Sequence, residues 1–429
     1  MGYLPVCMLA LLALSYKLQS YTMASPDSSS YGIRLNTDGA FQFPVFHKDH
    51  PSMDSMMQLA NIPVATVIGD DSIRRNEFFM GIALGTPAVF NLVTIDTGST
   101  LSWVQCVRCI RCYKQVQKAG LIFNPFSSAT YRRFGCSTMV CHEMQESRTM
   151  NSGCVEEEDA CIYSIRYGSG EYSVGYLGED KLTLANSHSI GNFMFGCGAD
   201  NRYSGTNAGV IGFANERYSF FNQVAQQTNH SAFSYCFPSD NKNEGFLSIG
   251  PYVRDDKLVW TRLIPYGDRS AYAIQQLDMM VDGSRLEIDP FIYTTVLTIV
   301  DSGTAETYIL SPVFRAFDRA LSAAMVDRGY DRVTSSFKEF EKKICFLSNS
   351  GSINWNNLPT VEMKIIGSIL KLPVENVFHE TPYGHICSTF RPDDAGVRGV
   401  QILGNKAMRS FRVVYDIQGS NFGFQAGAC

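Results

Sequence analysis

The sequence predicts a mostly β fold built from two related lobes. The prediction rests on a strand-and-turn pattern through most of the chain, on a catalytic-looking phrase that occurs twice, and on a length of 429 residues, too long for one small core. The strand pattern begins near Asn76. Glu77-Phe78-Phe79-Met80-Gly81-Ile82-Ala83-Leu84 reads as a strand and Gly85-Thr86-Pro87 as its closing turn. Further strand-like runs follow at 89–95, 181–184, 192–196, 245–249, 411–416 and 421–425. Helical patterns are few. The clearest covers 314–325, opened by Ser311-Pro312 as cap and first-turn residues.

The repeated phrase is the most informative feature. Val93-Thr94-Ile95-Asp96-Thr97-Gly98-Ser99 is matched, 205 residues on, by Thr298-Ile299-Val300-Asp301-Ser302-Gly303-Thr304. Each copy is an apolar strand running into Asp, a hydroxyl residue, Gly and a second hydroxyl residue. A later apolar strand ending in Gly follows each: Gly209-Val210-Ile211-Gly212 and Val400-Gln401-Ile402-Leu403-Gly404. Two halves with the same parts in the same order imply pseudo-twofold lobes.

One Asp-Thr-Gly is an ordinary turn, in which Asp bonds its own backbone. Two copies on matching strands carry chemistry. As for paired aspartates generally, two carboxylates about 3 Å apart cannot both ionise and share one proton. One group then takes a proton from bound water while the other polarises a carbonyl. The glycines let the two loops approach closely. The hydroxyls of Ser99 and Thr304 can hold the carboxylates.

Composition and export signals narrow the class. The chain is 45% hydrophobic, 12% aromatic and 18% charged, with a net charge of -5. That composition folds, and without a basic block it excludes nucleic acid as an expected partner. Leu4 to Leu14 form a short apolar run and Thr22-Met23-Ala24 suits a cleavage site, so 1–24 reads as a signal peptide. No later stretch reaches membrane length, and no membrane association is expected after signal removal. Residues 25–75 are rich in Ser, Asp, Pro and Met and lack Cys, and read as a prosegment outside the core. Of 13 cysteines, Cys7 lies in the signal and 12 remain to pair in an oxidising compartment. Cys106-x-x-Cys109-x-x-Cys112 has zinc-like spacing, but no partner His or second pair sits at the usual distance. His47-x-x-His50 lies in the leader, so neither metal nor cofactor is expected. Asn229-His230-Ser231 is the single glycosylation sequon.

From about Asn76 to Cys429 the sequence resembles the pepsin-like (A1) aspartic proteases, and among them the nepenthesin-like group of plants. The resemblance lies in Asp96-Thr97-Gly98-Ser99, Asp301-Ser302-Gly303-Thr304, Tyr167-Gly168-Ser169-Gly170, Trp103-Val104-Gln105-Cys106, Val414-Tyr415-Asp416 and Phe422-Gly423-Phe424. It implies a bilobal fold with a central cleft, an N-terminal lobe over 76–252 with a cysteine-rich insert, and a C-terminal lobe over 253–429. It also implies that Asp96 and Asp301 are catalytic, and that a β-hairpin flap carries Tyr167, Gly168 and Ser169, with the Tyr167 phenol bonded to Trp103. By the same resemblance the cysteines pair as Cys106–Cys109, Cys112–Cys197, Cys136–Cys161, Cys141–Cys154, Cys236–Cys429 and Cys345–Cys387. The expected partners are extended polypeptide substrates and pepstatin-like inhibitors, the expected state a monomer, and the expected location the apoplast or the vacuole.

Two other classes fit less well. Some secreted plant proteins of this fold inhibit glycosidases, but with degraded catalytic motifs, whereas both are intact here. A serine hydrolase lacks its G-x-S-x-G elbow. The chain also departs from its relatives. Phe213-Ala214-Asn215-Glu216-Arg217-Tyr218 stands where small apolar residues are usual, and the leader lacks an arginine-rich stretch. Glu306 replaces an apolar residue five positions past Asp301. It either turns to solvent or pairs with a nearby Arg, or it edges the cleft, where a third negative charge would raise the dyad's pKa values and favour a basic substrate residue.

Overall fold

The computed structural model describes residues 34–47, 78–146, 151–184, 188–239, 243–252, 256–266, 270–333, 342–393 and 400–429. The signal peptide expected over 1–24 lies outside the described residues. The strands form one sixteen-stranded sheet, a six-stranded sheet and two four-stranded sheets. The large sheet contains the N-terminal lobe and continues into the chain's last strands, Arg412–Asp416 and Asn421–Gln425. The six-stranded sheet carries the second Asp loop. The helix predicted over 314–325 runs from Ser311 to Val326 and buries Val313, Phe314, Phe317, Leu321 and Met325, a stripe at helical spacing.

The two repeated phrases build the same local structure. In each lobe the strand entering the Asp loop pairs in parallel with the later apolar strand. Val93 through Asp96 lie opposite Gly209 through Gly212, and Thr298 through Val300 opposite Gln401 through Leu403. Parallel pairing buries both faces. That is why Leu92, Val93, Ile95, Ile211, Val300 and Leu403 are all in the core.

Part of the segment read as a prosegment is built into the sheet. Phe41–His47 is a strand inside the large sheet, between Gly245–Ile249 and Phe78–Leu84. Phe41, Phe43, Val45 and Phe46 are buried. The alternation Phe-Gln-Phe-Pro-Val suits a strand, but Pro44 and the polar residues around it argue for a leader. What decides the matter is two long-range edges that only the assembled sheet offers. Burying four such side chains contributes roughly 6 kcal/mol at the low end of about 1.5 per residue. A chain begun after His47 should therefore melt well below one begun at Arg34; equal melting temperatures would show that the strand is dispensable.

The disulfide order is also corrected in four of six pairs. The structure joins Cys106 to Cys197, Cys109 to Cys112, Cys136 to Cys154 and Cys141 to Cys161, with Cα separations of 5.4, 5.7, 5.5 and 5.7 Å. Cys236–Cys429 and Cys345–Cys387 pair as the resemblance implied. The reason is strand geometry. Trp103–Gln105 runs parallel to Ser189–Arg202 with Val104 opposite Cys197, and the Cys106 amide continues the ladder to Gly198. Cys106 thus meets Cys197, and Cys109 and Cys112 close on each other across one turn. In the insert, helix Met139–Glu146 turns Cys141 inward onto buried Cys161 and leaves Cys136 beside Cys154.

The polar departures after Gly212 have a structural role. Arg217 reaches Glu143 on the insert helix at 2.8 Å, and the Tyr218 hydroxyl donates to the same carboxylate. They tie the cysteine-rich insert to the body of the lobe.

Candidate active site

The two Asp loops meet between the lobes and hold each other through reciprocal hydrogen bonds. The Thr97 amide donates to Ser302 Oγ at 2.9 Å, and the Ser302 amide donates to Thr97 Oγ1 at 2.9 Å. Each hydroxyl in turn donates across the axis, Thr97 to the Val300 carbonyl at 3.1 Å and Ser302 to the Ile95 carbonyl at 2.9 Å. Four buried bonds between segments about two hundred residues apart fix the loops as one rigid unit.

Each carboxylate is held in the same way. Asp96 Oδ1 accepts from the Gly98 amide at 2.9 Å and Oδ2 from Ser99 Oγ at 2.5 Å. Asp301 Oδ1 accepts from the Gly303 amide at 2.9 Å and Oδ2 from Thr304 Oγ1 at 2.6 Å. A Cβ at Gly98 would sit 2.7 Å from Asp301 Oδ1, and one at Gly303 would strike Asp96. Glycine is required at both positions because each carboxylate occupies the space of the opposite loop's missing side chain.

Burial and the neighbouring Asp301 charge push the Asp96 carboxyl up to about 7. The two carboxyls face each other across the loops and share one proton. Beneath the loops lies an aromatic layer. Phe233 stacks on Tyr415 at 4.3 Å, and Tyr272 meets Tyr415 edge-on at 4.8 Å.

The flap is the hairpin of Ala160–Arg166 and Tyr172–Thr183, closed over 167–171. Its turn is set by the Gly170 amide donating to the Tyr167 carbonyl at 2.9 Å, with Gly170 at φ 83. Trp103, fully buried, donates Nε1–H to Tyr167 Oη at 2.7 Å. Burial and the nearby Asp96 carboxyl hold the Tyr167 phenol well above its usual range, so it stays a neutral hydroxyl. Gly168 and Ser169 are exposed at the flap tip. Asn229 is exposed at the end of helix Phe220–Thr228 in the left-handed region.

Several residues here were not singled out from the sequence. Tyr203 packs edge-on against Trp103 at 5.5 Å, and its hydroxyl meets Thr94 Oγ1 at 3.1 Å. Asn207 Nδ2 donates to Thr94 Oγ1 at 3.0 Å. Asn405 Nδ2 donates to the Ser302 carbonyl at 3.0 Å and braces the second loop. None lies in a recognisable motif; their partners are distant in sequence. Glu306, by contrast, was singled out, and it does not edge the cleft as a bare charge. It makes a two-toothed contact with Arg391, whose Nη2 lies 2.8 Å from Oε1, and accepts from Lys406 Nζ at 3.3 Å.

Comparison with known proteins agrees with this geometry. Models described as xylanase inhibitor N-terminal and xylanase inhibitor C-terminal match residues 78–251 and 271–426. An aspartyl protease family protein of Arabidopsis thaliana is 31% identical over 82% of this chain and 72% of its own length. The chain belongs to the pepsin-like aspartic protease family of plants. Aspartic proteinase nepenthesin-1 of Nepenthes gracilis is 29% identical over 82% of this chain and 78% of its own. Among solved structures, basic 7S globulin from soybean superposes with a TM-score of 0.66 at 17% identity, covering 90% of this chain and 94% of that one. It shares the family's bilobal fold. Among the described residues the chain has six disulfides. Among the described residues no helix is long and apolar enough to cross a membrane.

Proposed function

We propose that this protein is a secreted or vacuolar aspartic endopeptidase that hydrolyses peptide bonds with a water held between Asp96 and Asp301. The observation that carries this reading is the pair of intact, mutually bonded Asp loops under a Tyr167 flap, with one carboxyl of the pair raised. Asp301 takes a proton from the water, protonated Asp96 donates to the scissile carbonyl oxygen, and the proton is returned to the departing amine. The nucleophile is water, so no covalent enzyme intermediate forms. An extended polypeptide lies in the cleft like an added strand, and pepstatin-like peptides compete for the same place. The 25–75 segment is proposed as a prosegment, its removal requiring that the strand Phe41–His47 leave the large sheet.

Digestion of haemoglobin or casein at acid pH, with and without pepstatin, tests the reading. Pepstatin-sensitive cleavage supports it. An inert protein that instead blocks a xylanase would place this chain with the inhibitors named in its family models.

The pH dependence follows from the dyad. Activity needs Asp96 protonated and its partner charged, so kcat/KM should fall as pH rises through about 7 and fall again in strong acid. The folding linkage has a definite sign. The folded Asp96 value lies above the ordinary 3.8, so its contribution to stability is full below about 3.8 and is lost as pH rises through about 7. A pH–rate profile with no alkaline limb near neutrality would count against this assignment.

A further inference from the structure

The flap's anchoring is not confined to Trp103. Glu171, the residue that closes the flap turn, is buried despite its charge. Its Oε2 accepts from Ser169 Oγ at 2.8 Å, within the flap. Its Oε1 accepts from the Ser204 amide at 2.8 Å and from the Ser204 hydroxyl. Glu171 also accepts, through its backbone carbonyl, the Tyr167 amide at 2.8 Å. One residue therefore ties the flap tip, the flap tyrosine and a segment outside the flap.

That outside segment leads straight to the catalytic strand. Tyr203, next to Ser204, bonds Thr94 Oγ1 and packs edge-on against Trp103. Thr94 lies two residues before Asp96 on the strand Val89–Asp96. A closed path thus runs from Glu171 through Ser204 and Tyr203 to Thr94 and Trp103, and back through the Trp103 indole to Tyr167. Hydrogen bonds to a charged acceptor are the strong kind, and burial removes water as a competitor. A gating loop moves readily unless such contacts hold it.

We propose that Glu171 is a positioning residue that latches the flap in register over the dyad by gripping Ser169 and Ser204. The proposal rests on the peptidase reading above for its kinetic consequence, but the latch itself is a property of the flap. Glutamine keeps an oxygen for the two Ser204 donors and offers an amide to Ser169, whereas alanine leaves all three donors without the carboxylate.

The test compares wild type with Glu171→Gln, Glu171→Ala and Ser204→Ala by hydrogen exchange of peptides spanning 163–173, by pepstatin affinity, and by kcat and KM on one peptide. Glu171→Ala should speed exchange of the Tyr167 and Gly170 amides, weaken pepstatin and raise KM, each by about tenfold, the worth of one to two such bonds. The kcat change should be smaller than the KM change. Glu171→Gln should stay within about threefold of wild type, and Ser204→Ala should follow Glu171→Ala. Unchanged flap exchange in Glu171→Ala overturns the proposal. So does a Ser204→Ala variant indistinguishable from wild type in flap exchange, which would mean that Glu171 acts through its volume and not through its grip on Ser204. If wild type cuts no peptide, the peptidase reading fails while the exchange result still decides the latch.

Discussion

Replacing Asp96 or Asp301 by Asn should abolish peptide hydrolysis while leaving the fold intact, with kcat lowered by about 10³-fold or more, the scale of paired acid–base contributions. The structure says why both changes are severe and neither is disruptive. One proton must be shared between the two carboxyls. An amide at either position cannot exchange that proton. The Asn oxygen can still accept from the Gly98 or Gly303 amide, and its nitrogen can donate to the Ser99 or Thr304 hydroxyl. The four cross-loop bonds of Thr97 and Ser302 do not involve the carboxylates at all. Melting temperatures should therefore hold or rise, since a buried carboxylate is removed. Kinetics and a thermal melt on the same preparations check both halves. Residual pepstatin-sensitive turnover near the wild-type rate in either folded variant would end the dyad assignment.

Glu306→Leu should destabilise the C-terminal lobe by about 3–5 kcal/mol, the usual cost of breaking a buried ion pair from one side. Arg391 and Lys406 keep only 9% and 11% of their side-chain surface in contact with solvent, against 20% for Glu306. Without Glu306 both charges stay buried without their counter-ion. Burial raises the Glu306 carboxyl, but the Arg391 hydrogen bonds and the Lys406 charge outweigh it and leave the group below its ordinary value. Its stabilisation is thus present at neutral pH and is lost as acid protonates it. His379 adds to the acid sensitivity. Burial and the Lys406 charge push it down to about 4, so the folded protein disfavours His379 protonation and loses stability as pH falls from 6.5 toward 4. This opposes the Asp96 contribution over the same interval. Replacing Glu306, Arg391 and Lys406 together by apolar residues should recover most of the loss, because an all-apolar cluster has no charge to desolvate. Urea unfolding of the single and triple variants measures this directly. Equal stability of Glu306→Leu and wild type would show that the cluster is solvated. The alkaline limb of catalysis should not move, since the charge acting on Asp96 is that of Asp301.

The sequence by itself pointed to the two Asp loops, their hydroxyl neighbours and the two-lobe plan, and the family resemblance to the turn at Tyr167. These are local phrases whose chemistry is legible because each occurs with its neighbours in order, and one of them twice. It also determined that Glu306 was out of place, though not what it faces. Only the tertiary structure decided what depends on register and distant partners. A parallel ladder placed Cys197 against Cys106, and helix orientation sent Cys141 to Cys161, where spacing along the chain allowed other pairings. Two open sheet edges drew Phe41–His47 into the core despite Pro44. Arg391 and Lys406, 85 and 100 residues from Glu306, turned a misplaced charge into a buried ion cluster. The physical reason is common to all three. A backbone turn or a proton-sharing pair is specified by adjacent atoms, whereas burial and charge pairing are specified by whichever atoms the completed fold brings alongside.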